Sequence, residues 1–145
     1  MNTHSHRRIA TLMGFEALTL AIIAPLHLSG VLGGGTKPFN PTAAGTAEAI
    51  IGAVLLVGVL ALVRKSRNAA IAATAFAIVG FLVGLSFTLR GGDAIDVAYH
   101  ATMLPLLLVT LLMLWRKRRP RRRIYLQPPW EQGQIGNPPP YTGQC

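Results

Sequence analysis

Charged residues are scarce in this sequence, and acidic residues are the scarcest of them. Only 13% of the 145 residues are charged, with five Asp or Glu against fourteen Lys or Arg and a net charge of +9. Soluble domains carry about 25% charged residues. Because 51% of the residues are hydrophobic and occur in long runs, the composition excludes both an ordinary soluble globule and a disordered chain.

Other absences narrow the possible classes of function. The apolar residues do not alternate with period two, which excludes a transmembrane β-barrel. Cys145 is the single cysteine, so no disulfide forms within the chain. The sequence contains no GxSxG, HExxH, Walker or GxGxxG motif. Without such a signature no enzyme class is indicated.

Four apolar stretches are long enough to cross a bilayer, since a helix needs about 20 apolar residues for a hydrocarbon core of about 30 Å. Short links at residues 64–68 and 90–93 make neighbouring spans antiparallel. We therefore predict an all-α fold, a four-helix transmembrane bundle in residues 1–115. A disordered cytoplasmic tail, polybasic and then proline-rich, is expected in residues 116–145. The predicted spans are residues 9–32, 47–63, 69–89 and 94–115.

The basic residues predict the orientation of the spans. Twelve of the fourteen Lys and Arg residues flank one side of the predicted membrane, and only Lys37 and Arg90 lie on the other. Basic residues beside spans stay cytoplasmic. We therefore expect both termini inside, in a multi-pass protein of a bacterial inner membrane, with residues 33–45 as a turn-rich outside loop. A cleaved signal peptide is the alternative for the first span, but its apolar run exceeds a signal region of about 7–15 residues and contains Glu16.

Four ionisable residues from three spans fall at the same depth, in the outer quarter of the bilayer. They are His27 near the end of the first span, Glu48 at the start of the second, and Asp96 and His100 at the start of the fourth. Placing a charged side chain at the centre of a transmembrane helix costs about 2.5–3.5 kcal/mol, so such residues face the bundle interior. Two imidazoles and two carboxylates suit a divalent transition metal, and two histidines suit a haem.

The same residues also have purely structural explanations. Asp93 has the position of an N-cap for the fourth span, with Asp96 three residues later. Acidic residues in a first turn suit the helix dipole, which would account for Asp96 and for Glu48. Each histidine could bond a backbone carbonyl freed by Pro25 or Pro105. A proton or substrate path is a third hypothesis for the cluster.

Glu16 lies in the inner half of the first span, far from any helix start, so capping does not explain it. It stands three helical turns from His27 and on nearly the same helix face. One hypothesis is a protonated Glu16 bonded to a threonine; those within reach are Thr19, Thr74 and Thr110. The other hypothesis is a proton-carrying carboxylate of a coupled transporter.

Four short spans with a lone acid in the first resemble, in outline, the small multidrug resistance transporters. That family lines its pocket with aromatic residues, whereas only Phe15 adjoins Glu16 here. The transport activity of that family is therefore not carried over.

Two further features concern partners. Gly80 and Gly84 form a GxxxG pair, which allows close helix approach within the bundle or in a homo-oligomer.

A basic segment after the fourth span predicts binding to anionic lipid head groups, at about 1 kcal/mol per residue. It has no aromatic platform, so we expect no nucleic-acid partner. The basic residues of this segment are Arg116, Lys117, Arg118, Arg119, Arg121, Arg122 and Arg123.

Three short motifs are similar to those of small uncharacterised four-span membrane proteins of high-GC bacteria. They are Leu26-His27-Leu28-Ser29-Gly30, Ala47-Glu48-Ala49 and Ala98-Tyr99-His100. This resemblance brings no activity with it.

The leading functional hypothesis is a metal- or haem-binding cluster near the outer surface. The alternatives are a proton-coupled transporter that uses Glu16, and a structural or partner-binding subunit without chemistry of its own.

Overall fold

The computed structural model describes residues 3–32 and 40–116, and within these ranges it contains α-helices and no strand. The helices are α1 (Thr3–Leu28), α2 (Pro41–Val63), α3 (Arg67–Gly91) and α4 (Ala94–Arg116). All four are long and apolar enough to cross a membrane. The all-α prediction is confirmed, and the chain is a multi-pass membrane protein. The predicted tail from Lys117 onward, with six of its seven basic residues, lies outside the described residues.

Two helix starts depend on side-chain caps. Asn40 precedes α2, and its Oδ1 accepts a hydrogen bond from the Ala43 backbone N–H at 3.2 Å. Pro41 follows at the first helical position, where its missing N–H costs nothing. Asp93 caps α4 as predicted, because its Oδ1 accepts from the backbone N–H groups of Ile95 and Asp96, both at 3.0 Å.

The four helices pack as a ring in chain order. Among them α1 contacts α2 and α4, and α3 contacts α2 and α4, while neither diagonal pair touches at the level of the backbone. The α1–α4 contact is the thinnest of the four. The apolar core runs along the axis and includes Leu20, Leu55, Phe81 and Leu107. Large apolar side chains also cover the outside of the bundle, as expected where the solvent is lipid.

Glycines let α2 approach its neighbours closely. A Cβ on Gly45 would lie 2.8 Å from the Ala24 carbonyl oxygen, and one on Gly58 would lie 2.7 Å from the Ala73 Cβ. The predicted pair on α3 also points inward: a Cβ on Gly80 would meet Ile51, and one on Gly84 would meet His100. The pair therefore serves packing within the chain, and its use in a homo-oligomer stays a prediction.

Close packing at Gly58 makes it more sensitive to substitution than a glycine in open space. We expect Gly58→Ala to lower the free energy of unfolding by about 1–3 kcal/mol, because the Ala73 Cβ is fixed to the α3 backbone. A Cβ on Gly14 would meet no other atom of the described chain within 4 Å. Gly14→Ala should therefore leave stability unchanged or raise it by up to about 1 kcal/mol. Denaturant titration in detergent micelles measures both, and equal effects would contradict the packing.

Candidate functional site

The four predicted cluster residues meet at one end of the bundle, opposite the end that carries the start of α1 and the end of α4. His27 comes from the last turn of α1, Glu48 from α2, and Asp96 and His100 from consecutive turns of α4. Their exposed fractions are 1%, 4%, 1% and 6%. We call these four residues the His/acid cluster. The sequence therefore identified which polar side chains share one buried site.

His27 forms the centre of the cluster, with a carboxylate on each side of its ring. Its Nδ1 lies 2.7 Å from Glu48 Oε2, and its Nε2 lies 2.9 Å from Asp96 Oδ1. The two contacts tie α1 to α2 and α1 to α4. Since the α1–α4 contact is the thinnest in the ring, the His27–Asp96 contact closes the bundle at this end.

The two His27 contacts require at least two protons on the three side chains, because each hydrogen bond needs one. A carboxylate oxygen only accepts, and a neutral imidazole has one N–H to donate. Both contacts are hydrogen bonds when His27 is doubly protonated, or when one of the two carboxyl groups carries a proton. In either arrangement the three groups share two protons and carry a net charge of −1.

His100 is oriented by the backbone and not by the carboxylates. Its Nδ1 lies 2.8 Å from the Asp96 carbonyl oxygen, which only accepts, so Nδ1 carries the hydrogen. In the neutral ring Nε2 then holds a lone pair, and this atom faces Gly84, where a Cβ would lie 2.6 Å away. The ring packs at 5.2 Å from Phe81 and 5.8 Å from Tyr99, measured between centroids.

Neither a metal nor a haem is favoured by this arrangement. Among the described residues, no group of three or more His, Cys, Asp or Glu side chains is arranged to hold a metal ion. His27 offers no lone pair, since both ring nitrogens are occupied by carboxylates. Two oxygens of the cluster, Glu48 Oε1 and Asp96 Oδ2, are nevertheless buried without a hydrogen-bond partner in the described part of the chain.

An apolar cavity of about 380 Å³ lies beside the cluster. Most of its lining comes from α2 and α3, and its polar lining residues are Asn40, Glu48, Thr88 and His100. Val83 and Phe87 line the cavity and are also half-exposed on the outer face of the bundle. The cavity therefore lies beside side chains that face the hydrocarbon of the membrane. We call it the lateral cavity.

One structural explanation for the cluster is wrong. The sequence places Glu48 in the first turn of its helix, where the dipole would account for it. In the structure α2 begins at Pro41, and its first turn contains no acidic residue. Asn40 and Pro41, which the sequence assigns to the turn-rich loop, are the cap and first residue of the helix. Asp96 does lie in the first turn of α4, as predicted.

Glu16 forms a second buried polar site in the middle of the bundle. The Thr110 hydroxyl donates to Glu16 Oε1 at 2.7 Å, and both side chains are fully buried. Of the other two threonines within predicted reach, Thr19 donates to the Glu16 backbone carbonyl and Thr74 to that of Ala70. Glu16 Oε2 has no partner among the described residues.

The sequence did not predict the lateral cavity or the aromatic side of the cluster. Phe81 lies 5.7 Å from Tyr99 and 5.2 Å from His100 between ring centroids. Small residues gave the only signal: Ala43, Ala44 and Ala47 on α2 face Gly80 and Gly84 on α3 across the cavity. A run of small residues on two adjacent spans leaves space between them when no large side chain fills it.

Replacing His27 alone should destabilise the bundle more than replacing His27, Glu48 and Asp96 together. His27→Ala leaves two unpaired buried carboxyl groups, and the loss of one partner of a buried ion pair costs about 3–5 kcal/mol. Adding Glu48→Gln and Asp96→Asn to the same variant should restore part of that loss, because the uncompensated charges are gone. Unfolding in detergent measures this, and simple additive losses would contradict the pairing.

The Glu16–Thr110 bond can be tested against a matched threonine. Thr110→Val removes the only described donor to the Glu16 carboxyl group, so we expect a loss of about 1–3 kcal/mol in unfolding free energy. Thr74 is equally buried but bonds only within its own helix. Thr74→Val should cost less than about 1 kcal/mol. A ranking in the opposite order would show that Glu16 does not depend on Thr110.

Comparison with known proteins gives no assignment for this chain. Neither protein-family models, nor curated proteins, nor solved structures contain a match to it. The resemblances to high-GC bacterial membrane proteins and to small multidrug resistance transporters stay predictions. Any function must therefore be argued from the His/acid cluster and the lateral cavity beside it.

Proposed function

We propose that this membrane protein binds a small organic cation with an apolar body in the lateral cavity. The cationic head contacts Glu48, and the apolar body fills the space between α2 and α3. The observation that carries the proposal is that Glu48, a buried carboxylate with one oxygen unpartnered among the described residues, lines a largely apolar cavity.

Charge supports a cation over an anion or a neutral molecule. With the two protons that its two hydrogen bonds require, the triad of His27, Glu48 and Asp96 carries a net charge of −1. Within the described ranges, no lysine or arginine lines the lateral cavity. Burying an uncompensated charge in a low-dielectric environment is costly, so a monovalent cation at Glu48 stabilises the cluster. The nearby Phe81 ring offers an aromatic surface that also favours cations.

Size and access support a small apolar body. A volume of about 380 Å³ falls at the lower end of the range of about 300–1,000 Å³ for small-molecule sites. Val83 and Phe87, which line the cavity, are also half-exposed on the outside of the bundle. A ligand therefore reaches the site from the lipid phase, and an apolar body lets it partition there first.

Proton binding competes with cation binding at the same oxygens. A third proton on the triad would neutralise its charge, and the atoms free to accept it are Glu48 Oε1 and Asp96 Oδ2. Cation affinity is therefore expected to rise with pH. Glu16 stands apart from this exchange, because buried apolar residues separate it from the cluster on α1 and α4. This argues for a structural Glu16 and against the predicted transporter role.

The orientation is part of the proposal. The described basic residues at helix ends lie mostly on the side of the two termini, including Arg7, Arg64, Lys65 and Arg116. By the positive-inside rule this side faces the cytoplasm. The lateral cavity then lies in the outer half of the bilayer. If the source is bacterial, that bilayer is the inner membrane.

A pair of isosteric probes tests the proposal directly. Phenyltrimethylammonium and tert-butylbenzene have the same shape, but only the first carries a charge, which does not change with pH. We expect the cation to bind the purified protein in detergent and to raise its melting temperature, with an affinity that increases with pH. Glu48→Gln should lower cation affinity by about tenfold or more, since it removes a buried ion pair, and leave the neutral probe unaffected.

Two phenylalanine variants provide the matched control. Ala47 lines the lateral cavity, whereas Ala49 lies on the same helix and is exposed away from it. Ala47→Phe should abolish binding and Ala49→Phe should not. Equal affinity for the two probes would overturn the proposal. So would stoichiometric zinc, copper, iron or haem that is lost in His27→Ala/His100→Ala, because the cluster would then be a metal or haem centre.

A further inference from the structure

A second cavity, of about 770 Å³, lies at the opposite end of the bundle from the His/acid cluster. It is formed by the start of α1, the end of α2 and the link into α3. Its basic lining residues, which we call its rim, are His6, Arg7, Lys65 and Arg67, and its apolar lining residues, which we call its floor, are Ala10, Leu62 and Val63. In the part of the chain that the structure describes, no acidic residue lines it. We call it the basic cavity.

We propose that the basic cavity binds the head group of an anionic phospholipid. Its basic groups come from two separate parts of the chain, residues 6–7 and 65–67, which converge on one space. Phosphate is recognised by such groups through charge and through the several N–H donors of arginine. Basic pockets between transmembrane helices bind anionic head groups in this way.

The depth and the floor of the basic cavity favour a phospholipid over a free anion. Val63 is the last residue of α2 and Arg67 the first of α3, so the rim lies where a span meets the interface. Val63 is 69% exposed on the outer face of the bundle, where lipid chains run. A phospholipid satisfies both parts at once, because its phosphate meets the basic rim while its acyl chain covers the exposed Val63.

The backbone holds Lys65 in this position at a cost. α2 ends in a Schellman motif, in which the Lys65 N–H bonds the Leu62 carbonyl at 3.0 Å and the Ser66 N–H bonds the Ala61 carbonyl at 2.8 Å. Such a motif puts its C′ residue in the left-handed region, where glycine is usual. Here that residue is Lys65, with φ of 65°. The chain thus keeps a lysine where glycine would be less strained.

The proposal is tested by comparing two charge-matched double variants of the full chain. Arg7→Gln/Lys65→Gln removes two rim charges from the basic cavity. Arg8→Gln/Arg64→Gln removes two charges from the adjacent positions, which do not line it. Native mass spectrometry with titrated phosphatidylglycerol or phosphatidylcholine gives the dissociation constants. We expect the rim variant to weaken phosphatidylglycerol binding about 25-fold and the control much less, since each of the two basic residues in the cavity is worth about fivefold.

The Lys65→Gly variant distinguishes an effect on lipid binding from an effect on the stability of the fold. It should raise the melting temperature, because glycine relieves the left-handed strain, and still weaken phosphatidylglycerol binding. Equal losses in the two double variants would overturn the proposal in favour of general surface attraction. Displacement of the lipid by inorganic phosphate at the same concentration would also overturn it, because the apolar floor would then contribute nothing.

Discussion

The structure depends on one constraint: in a bilayer, a polar side chain must find its partner inside the bundle. His27, Glu48 and Asp96 meet this constraint together, through two hydrogen bonds to one imidazole ring. Glu16 meets it through Thr110. Both solutions link α1 to α4, the helix pair with the thinnest contact, and His27 also links α1 to α2.

The same constraint separates the two polar sites by function. The Glu16 site is enclosed, and its partner comes from α4 within the core. The His/acid cluster borders a cavity and leaves a Glu48 oxygen without a partner in the described residues. Glu16 also keeps one oxygen without a partner among the described residues, but it lies inside the packed core, whereas Glu48 lines a cavity that a ligand can occupy. This difference is the physical basis for assigning ligand binding to one site and structure to the other.

The hydropathy of the spans and the depth of their polar residues in the membrane predicted much of this arrangement. Counting residues along each span brought His27, Asp96 and His100 to one level, and the Asp93 cap followed from local rules that need no tertiary information. The start of α2 was missed because Asn40-Pro41 is typical of turns and of helix starts alike. The paired state of His27 and the lateral cavity could not be predicted, since both depend on how closely α1 and α3 approach α2.

The thin contact between α1 and α4 has a consequence for how the chain enters the membrane. α1 and α2 emerge from the ribosome first and pack most extensively, so His27 and Glu48 can pair as a neutral unit before α4 exists. Asp96 arrives last and brings the extra negative charge with it. The final insertion step therefore both closes the ring and charges the cluster. The ligand site is thus complete only at the end of assembly. Before that point, the partly inserted chain has no unpaired charge in the lipid.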